Sequence, residues 1–223
     1  MLDTLLAKAR EDENVIGVVV HGSRGRGSHV HDGSDWDVIV VVRERTGRYD
    51  SEERGTELEA FEVTSLANVP RWMLPAFTWT TPVLDKTGAV AAELAELTRV
   101  DPATAAEPLD DYVNAYYRSA KNARVGLGLA AFLDAQESIP HYLDFVFTVH
   151  GRMRPYNKWL EWELREHPLP VDVDLARLER IGRTGDLDDQ RALFRETETL
   201  ARTLGHGATI DDWEPDVAFL RGH

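Results

Sequence analysis

Cysteine is absent from all 223 residues, which excludes disulfides and thiolate metal sites. Long apolar runs are absent too: none approaches the roughly 20 residues that a membrane-crossing helix needs. The opening residues MLDTLLAKAREDE lack the basic-then-apolar order of a secretion signal, so the expected location is cytoplasmic, with no membrane partner. Positive charge is scarce. Against 39 Asp and Glu stand 25 Lys and Arg, a net charge of −14, with acid in excess in both halves. Such a field repels nucleic-acid backbones and attracts cations. A duplex- or tRNA-binding role is disfavoured, although a local basic patch remains compatible with the total. A small cationic molecule or a metal–nucleotide complex suits the charge better. Repeats and low-complexity tracts are also missing.

What is present is an ordinary globular pattern in two halves. Leu2, Leu5, Leu6 and Ala9 recur at helical spacing over residues 2–12. Val15–His21 and Asp35–Val42 are β-branched runs and read as buried strands. LEAFEVTSL, residues 58–66, alternates Phe61, Val63 and Ser65 with Ala60, Glu62 and Thr64 and reads as a third strand. A short helix is expected over 67–74, a fourth strand at an edge over 77–84, a turn at 85–88 and a helix over 89–98. RVDPATAAEPLDD, with Pro102 and Pro108, reads as an interdomain connection. Beyond it strand signals stop, and helices are expected over 109–133, 140–150, 156–166, 172–182, 187–203 and 210–220. The fold class is therefore α+β. A catalytic domain with a mixed sheet over 1–104 is followed by an all-helical bundle over 105–223.

The chemistry concentrates in VVVHGSRGRGSHVHDGSDWDVIVVV, residues 18–42. Residues i and i+2 of a strand share a face, so Asp35 and Asp37 present paired carboxylates while Trp36 turns into the core. Like charges that close repel unless a cation neutralises them. Hard divalent ions such as Mg²⁺ take oxygen ligands and share them with phosphates. The Gly22-Ser23 turn lets backbone approach a phosphate and offers N–H and hydroxyl donors. These are the parts of a metal-dependent phosphoryl- or nucleotidyl-transfer site.

Apolar-Gly-Ser, a spacer, then Asp-apolar-Asp-apolar resembles the signature of the DNA polymerase β-like nucleotidyltransferase superfamily. GSRGRG and GSDWDVIVVV look most like its small-molecule branch, the aminoglycoside and lincosamide nucleotidyltransferases. The resemblance is specific over about residues 15–66. It is looser in the helical half, where GRMRPYNKWLEWEL resembles the segment such enzymes place behind the nucleotide. It implies that Asp35 and Asp37 hold Mg²⁺, and that Gly22 and Ser23 cradle phosphates of ATP or another nucleoside triphosphate. It implies a third carboxylate from a later strand, a place that Glu62 fits as metal ligand or as base. AMP or another nucleoside monophosphate would pass to a hydroxyl of a small polar acceptor, with pyrophosphate released. Lys158, and with it Arg152, Arg154 and Lys121, would neutralise the triphosphate. Relatives complete the site within one chain or across a homodimer, and the sequence leaves both open.

Each residue has a plainer reading. Asp35 and Asp37 could be a solvated strand start, and Glu62 a surface carboxylate like Glu57 and Glu59 beside it, with Asp85 as the reserve base. His21, His29 and His31 read better as turn and surface residues than as a zinc cluster. Arg24 and Arg26 are loop charges unless the loop folds over the nucleotide, in which case they touch phosphate. Lys158 could form a surface ion pair with Glu161 while Trp159 and Trp162 face the core. Tyr116 and Tyr117 read as bundle core or as a base-stacking platform. Glu107, Asp110 and Asp111 line a cleft for a cationic substrate or merely solvate a helix start. Two rival functions stand: a protein-modifying, antitoxin-type nucleotidyltransferase, and a silent nucleotide-binding module. HGSRG lacks the first glycine of a hydrolase nucleophile elbow, and no Gly-Lys-Ser/Thr follows to make a Walker loop.

Overall fold

The computed structural model describes residues 1–51 and 57–222, which fall into two compact units. The first is built from Met1–Arg99 and Pro155–His167, the second from Val100–Arg154 and the chain from Pro168 on. The first crossing between the units falls between Arg99 and Val100, at the start of the proline-containing stretch 99–111. Residues 155–167, expected within the helical domain, instead pack in the first unit, where Trp159 is almost wholly buried.

The first unit is a four-stranded mixed sheet in the order β3-β2-β1-β4, formed by β1 (Val15–His21), β2 (Trp36–Val42), β3 (Leu58–Val63) and β4 (Pro82–Asp85). β1 pairs antiparallel with β2 and β4, and β2 pairs parallel with β3. Both faces are covered, which is why β1 and β2 read as continuous apolar runs rather than alternating ones. On one face α1 (Leu2–Glu11) lays Leu6 and Ala9 against Val18, Val20, Val38 and Val40. On the other, Val19, Ile39 and Val41 meet Leu66, Val69 and Phe77 of two 3-10 turns, and Val90 and Leu94 of α3 (Ala89–Leu97). Each fully buried Val or Ile contributes about 1.5–3 kcal/mol, so this double layer holds the unit together.

β4 is at the edge, as Pro82 requires, but shorter than expected. Phe77 closes a 3-10 turn over residues 71–77 and plugs the core, and Trp79 takes a left-handed φ of 63°, so the chain reaches the sheet only at Pro82.

Within the second unit α4 (Ala106–Arg124) and α5 (Gly128–Val149) form a hairpin. The expected break near 134–139 falls instead at Gly126, whose φ of 78° ends α4 while the Leu127 N–H bonds back to Asn122. Pro140 sits inside α5, where it removes one donor without ending the helix. In the first unit α6 (Leu160–Glu166) follows a 3-10 turn at Asn157–Trp159. The second unit continues with α7 (Leu175–Thr184) and α8 (Leu187–Thr203), started by N-caps Asp174 and Asp186, then α9 (Gly207–Asp211) and α10 (Asp216–Arg221). Tyr112, Tyr116, Phe145, Phe147 and Phe194 fill its core, and the Tyr116 hydroxyl donates to the Leu220 carbonyl at 2.8 Å. Among the described residues no helix is long and apolar enough to cross a membrane.

Candidate active site

The site forms where β1 ends and β2 begins. After His21 the chain turns into the five-residue helix α2, Gly22–Arg26, which holds the Gly22-Ser23 turn. Gly22 has a φ of 67°, and a Cβ there would lie 2.2 Å from Asp37 Oδ2. Only glycine lets this backbone come so close to a carboxylate. Gly25 is equally constrained, since a Cβ would meet the Val20 carbonyl at 2.3 Å.

Asp37 lies opposite His21 in the β1–β2 ladder and opposite Glu59 in the parallel β2–β3 ladder. Asp35, Asp37 and Glu59 consequently bring carboxylate oxygens within 4.8 Å of one another. Burial pushes the Asp37 carboxyl up to about 6, Asp35 and Glu59 push it further the same way, and Lys158 opposes them. Three oxygen donors so crowded are the donor set that a hard divalent cation prefers, so the residues present fit such an ion.

Glu62 does not join them. It lies three residues beyond Glu59 and so on the opposite face of β3, buried. Its carboxylate accepts from the Thr46 and Gly47 N–H groups at 2.6 and 2.7 Å, the Tyr49 N–H at 3.1 Å and the Thr46 hydroxyl at 3.0 Å. Burial alone would raise its carboxyl, but these donors outweigh it and hold it below the ordinary range. Glu62 thus fastens the turn after β2 instead of facing a metal. The reserve base Asp85 is likewise occupied: its carboxylate accepts from the Thr87, Gly88 and Ala91 N–H groups and starts α3. Its pKa is lowered because those backbone bonds outweigh burial.

Of the remaining predicted residues, Ser23 and Lys158 come together, with Lys158 Nζ donating to Ser23 Oγ at 3.3 Å. Arg26 does not face a phosphate site. Its side chain is fully buried, paired with Glu163 at 2.7 Å, bonded to the Pro75 carbonyl at 2.8 Å and to the Thr78 hydroxyl, and covered by Trp159. Arg24 bonds the Ser34 carbonyl at 2.6 Å and covers Trp36, bracing the loop that leads to Asp35. His29 and His31 are turn residues bonded to Ser28 and Gly33. Lys121, Arg152 and Arg154 belong to the second unit, where they meet Tyr117, Phe147 and Asp144. Asp110 there accepts from the Trp213 indole, and Asp111 lies 3.7 Å from His141.

Around the carboxylates lies a cavity of about 680 Å³ within the first unit. His21, Gly22, Asp37 and Glu59 line one part, Arg45, Asp50 and Ser51 another, and Phe61, Trp72, Met73 and Tyr156 give it apolar walls. Burial pulls the His21 imidazole down to about 4 against the opposing Asp35, so it is neutral at neutral pH. Glu59 and Glu163 were missed from sequence. Glu59 was signalled by its parity with Phe61, but only the strand register tells which parity faces Asp37. Glu163 carried no local signal.

No curated protein matches the chain. Residues 2–72, which carry the Gly22-Ser23 turn, Asp35, Asp37 and Glu59, match the family model of the nucleotidyltransferase domain, and this supports nucleotide transfer in general as the chemistry of the site.

Proposed function

We propose that the protein is a divalent-metal-dependent nucleotidyltransferase. It moves a nucleoside monophosphate, AMP from ATP in the first instance, onto a hydroxyl of a small polar acceptor. The observation that carries this reading is the convergence of Asp35, Asp37 and Glu59 beside the Gly22-Ser23 turn and Lys158. Asp35 and Asp37 would hold the metal, Mg²⁺ by its preference for oxygen, with Glu59 completing the donor set. When bound, the ion supplies charge neutralisation at the phosphates and at the attacking oxygen. The Ser23 hydroxyl and the backbone freed by Gly22 bind phosphate oxygens, and Lys158 neutralises their charge. Glu59, across the ladder from Asp37, is assigned to take the proton of the acceptor hydroxyl as its oxygen attacks the α-phosphorus. The bond to the bridging oxygen breaks, and pyrophosphate leaves.

The acidic balance of the chain favours a cationic acceptor, and the resemblance makes aminoglycosides and lincosamides the first class to try. The test follows pyrophosphate release from Mg²⁺–ATP across such acceptors and a metabolite pool, with Asp35→Asn/Asp37→Asn as control. Acceptor-dependent release that vanishes in the control supports the reading. If calorimetry detects no Mg²⁺–ATP binding to the unaltered protein, the reading falls.

A further inference from the structure

Arg26 and Glu163 form an ion pair with side chains that are 0% and 2% exposed. Glu163 also accepts from the Trp79 indole N–H at 2.8 Å. The Arg26 guanidinium lies 4.4 Å from the Trp159 ring centre and 5.2 Å from that of Trp162. Burying two charges costs several kcal/mol per ion before their attraction is counted, and apolar residues of similar volume commonly hold such a place as well or better. Adhesion therefore explains poorly why this site is ionic. Direction explains it better, because a guanidinium is a planar fork that accepts partners only along fixed lines. Here those lines run to Glu163, the Pro75 carbonyl and the Thr78 hydroxyl.

What the pair joins is informative. Arg26 ends α2, three residues after Ser23, and Glu163 sits on α6, five residues after Lys158. Ser23 and Lys158 are themselves only 3.3 Å apart. Two segments 137 residues apart in sequence are thus locked by a buried directional contact three and five residues beyond Ser23 and Lys158. We propose that Arg26 and Glu163 are positioning residues for the nucleotide triphosphate: their buried pair sets the spacing between Ser23 and Lys158. This inference rests on the nucleotidyl-transfer reading.

The test measures two affinities on full-length protein, that for Mg²⁺–ATP by calorimetry and that for Mn²⁺ alone by electron paramagnetic resonance. The variants are Glu163→Gln, the apolar pair Arg26→Met/Glu163→Leu, and Lys158→Ala. The apolar pair keeps the volume filled and should keep the fold even if the single change does not. Expected is an about 10-fold or greater loss of Mg²⁺–ATP affinity in the apolar pair, with Mn²⁺ binding unchanged. In the Lys158→Ala background the same replacement should cost little more, since the pair acts through Lys158. Unchanged Mg²⁺–ATP affinity in a folded apolar pair overturns the proposal. So does a loss of equal size with and without Lys158, or a loss of Mn²⁺ binding in parallel. Failure of the unaltered protein to bind Mg²⁺–ATP removes the nucleotide reading instead, so the two failures are distinguishable.

Discussion

Glu59 and Glu62 lie three residues apart on β3 and face opposite sides of the sheet. Glu62 is surrounded by donors: three backbone N–H groups and a hydroxyl reach its two oxygens. Glu59 instead brings its carboxylate within 4.8 Å of two others, those of Asp35 and Asp37. Glu163 resembles Glu62, since Arg26 and the Trp79 indole satisfy it in full burial. A satisfied carboxylate stabilises its surroundings, whereas crowded carboxylates destabilise the apo fold and gain only when a cation arrives. The contrast separates carboxylates that brace the unit from those crowded together at the proposed metal site.

Replacing Asp35 and Asp37 together by Asn should break the crowded side of this contrast. Pyrophosphate release should fall on the order of 10³-fold, while the thermal midpoint of the metal-free protein holds or rises because like-charge repulsion is gone. A melting curve beside the rate assay checks both halves.

Gly22→Ala comes next. A Cβ 2.2 Å from Asp37 Oδ2 at a φ of 67° must displace the carboxylate or the turn. Turnover should drop roughly 10²-fold, with a left-handed backbone penalty of about 1–2 kcal/mol visible in urea denaturation.

Glu62→Gln should do the opposite of the Asp35/Asp37 change. Losing a charged acceptor to three N–H groups should lower stability by about 1–3 kcal/mol, while Mn²⁺ affinity stays as it was. Denaturation and a metal titration on the same variant sharpen the comparison, and weakened metal binding would return Glu62 to the site.

The smallest effect is in pH. The folded Asp37 carboxyl, at about 6, lies above its ordinary 3.8. Its contribution to stability is present in full below 3.8 and is lost as pH rises through about 6. Glu62 is shifted the other way, so its contribution is present above 4.5 and is lost as pH falls through its lowered folded value. The metal-free protein should therefore lose thermal stability between pH 4 and 7 in part through Asp37. Asp37→Asn should flatten that slope, and added Mg²⁺ should reverse it.

Much of the first unit was legible in the chain. β1 and β2 announced themselves as β-branched runs, α1 as a helical stripe, and β4 as an edge strand through Pro82. The α4–α5 boundary was less legible: the chain turns at Gly126, while α5 runs on through Pro140. The paired Asp35 and Asp37 needed only the alternation of a strand to be recognised, and Gly22-Ser23 only its place at a strand end. Glu57, Glu59 and Glu62 are chemically alike, and local sequence does not say which face of β3 meets Asp37.

Side-chain alternation, β-branched stiffness, glycine's access to positive φ and the acidic balance are properties of neighbouring residues, so the sequence by itself determined the strands, the tight turn and the paired aspartates. Which glutamate meets Asp37 depends on the β2–β3 register, and burial of Arg26 depends on a partner 137 residues away. Pairing register and long-range ion pairing are set by the packing of whole layers against one another, and only the tertiary structure decided them.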